Sequence, residues 1–285
     1  MPAAFAHDLY GRSVYEGLPP GEQALIRRNR DCFYMGLHGP DLLFFYKAVS
    51  KNRVNQKGCW LHREAAAPIF RRGRNEIRRL ESRREKEALT AYLLGFCCHF
   101  ALDSSMHGRI NAMAKKSSFT HAQIETELDR RLMLREGLHP LLTNVTCHLK
   151  NTTPVQMAAS RVFCEEPRTI RTAILGFRLT NRLFINSAGW LKGLVFLLLI
   201  WSGNYDEIHG MIMRKKPLSG SKEITDEMEE RFLRAVPTGV RLARELWYFL
   251  NGKGRLGGRF LWDFEGRSPL RTARAQRDEK KRNEA

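Results

Sequence analysis

The chain has 285 residues, 43% of them hydrophobic and 27% charged, a composition that fits one large globular domain or two small ones and leaves no shortage of core. Its 48 Lys and Arg against 30 Asp and Glu give a formal charge of +18, which draws polyanions but does not choose among nucleic acid, an anionic bilayer face and phosphorylated substrates. The longest apolar run, "GLVFLLLIW" at 193–201, is too short to cross a bilayer. The opening "MPAAFAHDLYGRSVYEG" lacks the basic leader and apolar core of a secretory signal; a cytoplasmic protein without a transmembrane segment is expected.

Helical periodicity recurs along the chain and no alternating strand pattern stands out, so the expected fold class is all-α, a multi-helix bundle. In chain order, helices are predicted over 6–14, 20–35, 62–84, 87–115, 119–137, 154–163, 169–202 and 226–250, with a short one near Arg259. "GLHGPDLLF" and "KNRVNQKGC" read as loops in the first half, and "SGNYDEIHGMIMRKKPLSGSK" as a loop in the second. Residues 1–266 form the expected helical domain, and 267–285, rich in Arg and Lys with few apolar anchors, read as a disordered basic tail. Arginine pairs such as Arg78 and Arg79 lie near Glu76 and Glu81, so solvated, partly paired faces are expected there. The six cysteines contain no C-x-x-C pair and read as buried small hydrophobes in a reducing compartment.

The stretch "GFCCHFALDSSMH" (95–107) sets His99, Asp103 and His107 at steps of four along an otherwise apolar helix. Burying imidazole and carboxylate is costly without partners, and a metal ion is one such partner. His99 and His107 stand about 12 Å apart along the helix axis, too far to share one ion through bonds of about 2 Å. The spacing therefore favours His99 with Asp103 on one ion and His107 on a second. The next helix begins "FTHAQIETELD", where His121 and Glu125 again stand four apart and converge on one point. Packed antiparallel, it would bring them to the site begun by His107. Read alone, His121 and Glu125 also fit a surface pair beside an N-cap at Thr120 or Ser118.

Taken together, "FAHDLYG", "GLHGPDLLF", "GCWLHRE", "AYLLGFCCHFALDSSMH" and "HAQIE", in that order, resemble the bacterial zinc-dependent phospholipase C family, a distant relative of the fungal zinc-dependent single-strand nucleases. The likeness is nearest to the family's small cytosolic members. It implies a cluster of two to three zinc ions. One would be held by Asp41, His62, His99 and Asp103, a second by His107, His121 and Glu125, and a third by His7, a carboxylate bridge and an N-terminal amino group. Asp41 resembles the family residue that acts as a zinc ligand or general base, and it is the expected catalytic side chain. His38 is expected either behind the ligands or exposed in its loop; His139, His148 and His209 have no companions.

Clustered zinc with these ligands suits hydrolysis at phosphorus, because it lowers the pKa of water and stabilises charge on phosphoryl oxygens. The leading expectation is a hydrolase of phospholipase C type, cleaving a phospholipid to diacylglycerol and a phosphorylated head group. The basic surface would aid peripheral approach to an anionic leaflet at the inner membrane face, and the apolar run at 193–201 would border the lipid site or lie in the core. A nuclease on the same scaffold comes second. A non-catalytic basic protein that binds nucleic acid or membrane comes third.

Overall fold

A computed structural model describes residues 4–48, 50–186, 210 and 212–269; among these the regular elements are all helical, as expected for the all-α class. Helices α1 (Ala4–Glu16), α2 (Pro20–Arg28) and α3 (Arg30–Gly36) lead into a 3-10 helix, Gly39–Phe45. Then come α4 (Arg53–Arg63), α5 (Ala66–Arg79), α6 (Arg83–Lys116) and α7 (His121–Arg135). After these follow α8 (Thr153–Phe163), α9 (Pro167–Asn186), α10 (Lys222–Leu250) and a short 3-10 turn, Gly258–Leu261.

Helix α6, about 50 Å long, is the axis of the molecule. The Ser82 hydroxyl accepts from the Glu85 amide at its start, and Lys115 and Lys116 face the negative end of its dipole. Residues 88–104 are buried on every side, which marks a core helix, not a surface one. Helices α1, α3, α5, α7, α8 and α10 pack around it. The crossing with α3 brings backbone onto backbone: a Cβ on Gly36 would strike the Tyr92 carbonyl, and one on Gly95 the Phe33 carbonyl. That contact fixes the end of α3, from which the 3-10 helix turns toward the centre of α6.

Several sequence expectations need correction. The segment "KNRVNQKGC" is not a loop but the start of α4. The Asn52 side chain accepts from the Val54 and Asn55 amides and Asn55 returns a bond to Asn52, a reciprocal cap hidden in a polar run. "GLHGPDLLF" closes into a 3-10 helix. The single helix expected over 20–35 breaks at Asn29, whose φ of −125° is not helical. The one expected over 62–84 breaks at Glu64 and Ala65, which are extended ahead of Pro68 in the first turn of α5. His62 consequently belongs to the last turn of α4. Cys32, Cys97 and Cys98 are buried as expected, but Cys59, Cys147 and Cys164 are exposed; none of the six is in a disulfide. The expected helix beyond residue 186, the apolar run at 193–201, His209 and the tail from 270 lie outside the described residues. Among the described residues, no helix is long and apolar enough to cross a membrane.

Candidate metal centre

The site begins with how α1 is held. Its opening amides point at Asp129 on α7: Ala6 N donates to Oδ1 at 2.8 Å and Phe5 N to Oδ2 at 3.1 Å. A carboxylate at a helix N-terminus satisfies otherwise orphaned donors and favours the dipole. Asp129 lies one turn beyond Glu125, so the α7 face that carries His121 and Glu125 also seats the start of α1. His7 follows one residue later, buried against α6, with its ring stacked on that of His99 at 4.3 Å between centroids.

The 3-10 helix delivers Asp41. Gly39 has φ of +45° and its Cα faces the His99 ring so closely that a Cβ would collide with it, so a side chain there would push the loop off α6. Asp41 Oδ1 consequently lies 2.8 Å from His62 Nε2, and Oδ2 lies 3.9 Å from His99 Nε2.

Asp103 is the hub. Its Oδ2 lies 2.9 Å from His99 Nε2 and 3.8 Å from His62 Nε2, while Oδ1 lies 3.3 Å from His7 Nε2 and 3.4 Å from His107 Nε2. Beyond it, Glu125 Oε1 stands 3.3 Å from His107 Nε2 and 3.1 Å from His121 Nε2. All eight sequence-expected residues therefore meet. Their ligand atoms form three compact groups, His7–Asp41–His99, His62–His99–Asp103 and His107–His121–Glu125, each with its atoms within 4.8 Å of one another. Helical spacing alone sets Asp103 with His99 and apart from His107; in the fold Asp103 faces both histidines.

The far sides of the rings are tethered. Nδ1 of His62 lies 2.8 Å from the Gly58 carbonyl, Nδ1 of His99 lies 3.1 Å from the Leu37 carbonyl, and Nδ1 of His121 lies 2.8 Å from Asn111 Oδ1. In each ring a proton on Nδ1 frees the Nε2 lone pair to face the cluster, the usual support for a metal-binding imidazole. His99 Nε2 and Asp103 Oδ2 are buried and have no hydrogen-bond partner despite their proximity. Such orphaned, converging donor atoms of nitrogen and oxygen type fit zinc.

Electrostatics agree with that fit. Burial opposes ionisation of Asp103, but His107, His99 and His7 outweigh it and hold its carboxyl well below the usual range. Burial likewise opposes ionisation of Glu125, and His121 and His107 overcome it. Burial disfavours protonation of His107, yet Asp103, Glu125 and Glu265 push it up to about 10. His7 and His62 are raised in the same way, against burial, by Asp103 and by Asp41 respectively. Without metal, protons bind this anionic cage; divalent ions of the same sign can replace them.

Among the described residues exposure is uneven: the His121 side chain is 33% exposed, whereas His7, Asp41, His99 and Asp103 are buried. A cavity of about 420 Å³ beside α1, lined by residues including Arg12, Arg27, Arg30 and His148, includes none of the eight.

Other residues near the site carry no ligand pattern in the sequence. His38 is fully buried rather than exposed, edge-on to Phe177, with burial and the neighbouring His7, His148 and His99 holding its pKa well below the ordinary value. His148 pairs with Asp8 at 3.2 Å, and His139 Nδ1 accepts from the Leu141 amide. Asp129 was legible in principle, since it continues the four-residue spacing of His121 and Glu125. The turn after α10 also reaches the site: Phe264 is buried against the rings of His62 and His99, and its amide donates to the His62 carbonyl at 3.1 Å.

Residues 6–169 match the family model for zinc-dependent phospholipase C. No curated protein and no solved structure matches the chain.

Proposed function

The chain belongs to the zinc-dependent phospholipase C family, and on that premise we propose that it hydrolyses the phosphodiester of a phospholipid, releasing diacylglycerol and a phosphorylated head group. The observation that carries this reading is Asp103, whose two oxygens face different imidazoles while Oδ2 and His99 Nε2 remain unpartnered. We assign Asp41, His62, His99 and Asp103 to one ion, His107, His121 and Glu125 to a second, and His7 with Asp103 to a third. Zinc held there supplies Lewis-acid stabilisation of phosphoryl oxygens and acidifies water.

The protein's own groups then have defined tasks. The imidazoles hold position through their tethered Nδ1 atoms. The 3-10 helix holds Asp41 with Oδ1 beside His62 Nε2, where both would share the first ion, leaving Oδ2 to accept a proton from the attacking water. The water oxygen would bond to phosphorus as the bond to the glycerol oxygen breaks, and that oxygen would leave with the proton that Asp41 took up. The phosphodiester enters from the His121 side, the more exposed edge of the cluster among the described residues.

A bilayer source for the substrate is supported by α9, which packs on the 3-10 helix bearing Asp41 through Phe177 and Phe45, 4.6 Å between centroids. Its outer face exposes Leu175 (49%) and Leu179 (58%) beside exposed Arg171 and Arg182, a pairing of apolar and cationic groups that suits an anionic leaflet. We place the protein at the cytoplasmic side of that leaflet, a compartment that suits six cysteines outside disulfides.

The test is hydrolysis of phosphatidylcholine, phosphatidylinositol and single-stranded DNA by the zinc-loaded protein, with Asp103→Ala and His107→Ala as controls. Lipid turnover that both substitutions abolish supports the proposal. DNA cleavage without lipid turnover replaces it with a nuclease, and salt-sensitive DNA binding without turnover replaces it with a binding protein.

A further inference from the structure

The second metal group is backed by a residue from far outside the family-matched segment. After the 3-10 turn at Gly258–Leu261, residues 262–267 lie along α6 as a strap. The Trp262 carbonyl accepts from the Ala66 amide at 3.1 Å, Phe264 is fully buried among Phe96, Phe100 and the two histidines, and Gly266, at φ +76°, passes the Ser104 carbonyl too closely for a Cβ. Held on both sides, Glu265 places Oε2 2.7 Å from Asn111 Nδ2 and Oε1 4.0 Å from His107 Nδ1. Asn111 in turn sets Oδ1 2.8 Å from His121 Nδ1.

Glu265 fixes the order of donor and acceptor at Asn111. An ionised carboxylate only accepts, so Asn111 must turn its amide nitrogen to Glu265 and its oxygen to His121. That oxygen also only accepts, so it draws a proton onto His121 Nδ1 and frees Nε2 for a metal ion, whereas without metal the Glu125 carboxylate, 3.1 Å from Nε2, competes for that proton. A flipped Asn111 amide would favour the opposite tautomer, with the lone pair turned away from the cluster.

We infer that Glu265 is a positioning residue that, by fixing the orientation of Asn111, sets the His121 tautomer required by the second zinc ion. The inference rests on the zinc reading above, but its first test needs no metal. In the zinc-free full-length protein, nitrogen-15 NMR at a pH where His121 is neutral should show a share of the Nδ1–H tautomer, in competition with Glu125 at Nε2. Glu265→Ala should lower that share. Asn111→Asp combined with Glu265→Gln should restore it, because the carboxylate introduced on α6 accepts both from the amide introduced on the strap and from His121.

Zinc competition against a chromophoric chelator should show one ion weakened about 10- to 100-fold in Glu265→Ala, with the others unchanged, and recovered in the double variant. An unchanged tautomer and unchanged zinc affinity in Glu265→Ala would overturn the inference. So would a double variant that folds but shows neither the tautomer nor the affinity of wild type, a result that decides the matter even if Glu265→Ala does not fold. A wild type that binds no zinc would overturn the metal reading, while the NMR comparison would still decide the role of Glu265.

Discussion

His7 Nε2 lies 3.3 Å from Asp103 Oδ1, so an imidazole from the first helix and a carboxylate from the central one meet inside the core. Asp103 faces three further histidines as well, and the charge balance of the whole group depends on it. Asp103→Ala should lose at least two ions per chain by elemental analysis and reduce phosphodiester hydrolysis by more than about 100-fold. Helical content should persist, since α6 is held by its apolar surroundings. Wild-type zinc content in this variant would refute the hub role.

Asp129 makes a separable contribution. Its removal leaves the amides of Phe5 and Ala6 without partners in a buried setting, and each unsatisfied group costs about 1–3 kcal/mol. Asp129→Ala should therefore lower stability in urea unfolding and release the ion assigned to His7, while cobalt substituted at His107, His121 and Glu125 keeps its absorption spectrum. Asp129→Asn, which retains one acceptor, should lose less.

Stability without metal should peak in mildly acid solution. His107, ordinarily near 6.5, is raised to about 10 in the folded protein. Its contribution is complete below 6.5 and disappears as pH climbs toward 10. Asp129, raised by burial from 3.8 to about 7 despite its bonds to Ala6 and Phe5, also favours its protonated form, so folding loses ground as pH rises through that interval. The depressed Asp103 and Glu125 act oppositely: their contributions stand above their ordinary values of 3.8 and 4.5 and fade as pH falls through their folded values. Melting temperatures of the zinc-free protein should decline from pH 6 to 9. The increment added by zinc should grow over the same range, because the ions need neutral imidazoles. A zinc-free melting temperature that climbs steadily to pH 9 would contradict these assignments.

The α3–α6 crossing offers a test remote from the ions. Gly95→Ala would drive a methyl group into the Phe33 carbonyl. Overpacking of this kind typically costs about 1–3 kcal/mol, and here the obstacle is backbone. The 3-10 helix follows directly from α3, so zinc affinity at the Asp41 group should weaken along with stability. Calorimetry and zinc titration of the same preparation would reveal a variant in which only one of the two changes.

The pairs His99–Asp103 and His121–Glu125 are legible in the sequence because a four-residue step on a helix fixes their relation locally, whatever the tertiary fold. Asp41, His62 and His7 carry no such local mark; they are legible only through the ordered motifs of the resembling family. Asn52 hides a helix start because its cap is written in polar residues that also suit a loop. Asn111 and Glu265 escape altogether. Their tie spans α6 and the strap after α10, and "WDFEG" contains nothing periodic that could point to a partner so distant. The apolar surroundings of α6 decide which helix is central, but the backbone contact at Gly36 and Gly95 is a matter of shape, which composition does not encode.

Asp129 seats the beginning of α1, and the strap at 262–267 closes over α6 from near the other end of the described chain. A ribosome delivers α1 long before the element that anchors it, and α6 long before the segment that covers it. The nascent polypeptide thus exposes a scattered set of imidazoles with no cage to hold them. A cage assembled from such distant pieces is complete, and open to a metal ion, only once the strap has been made.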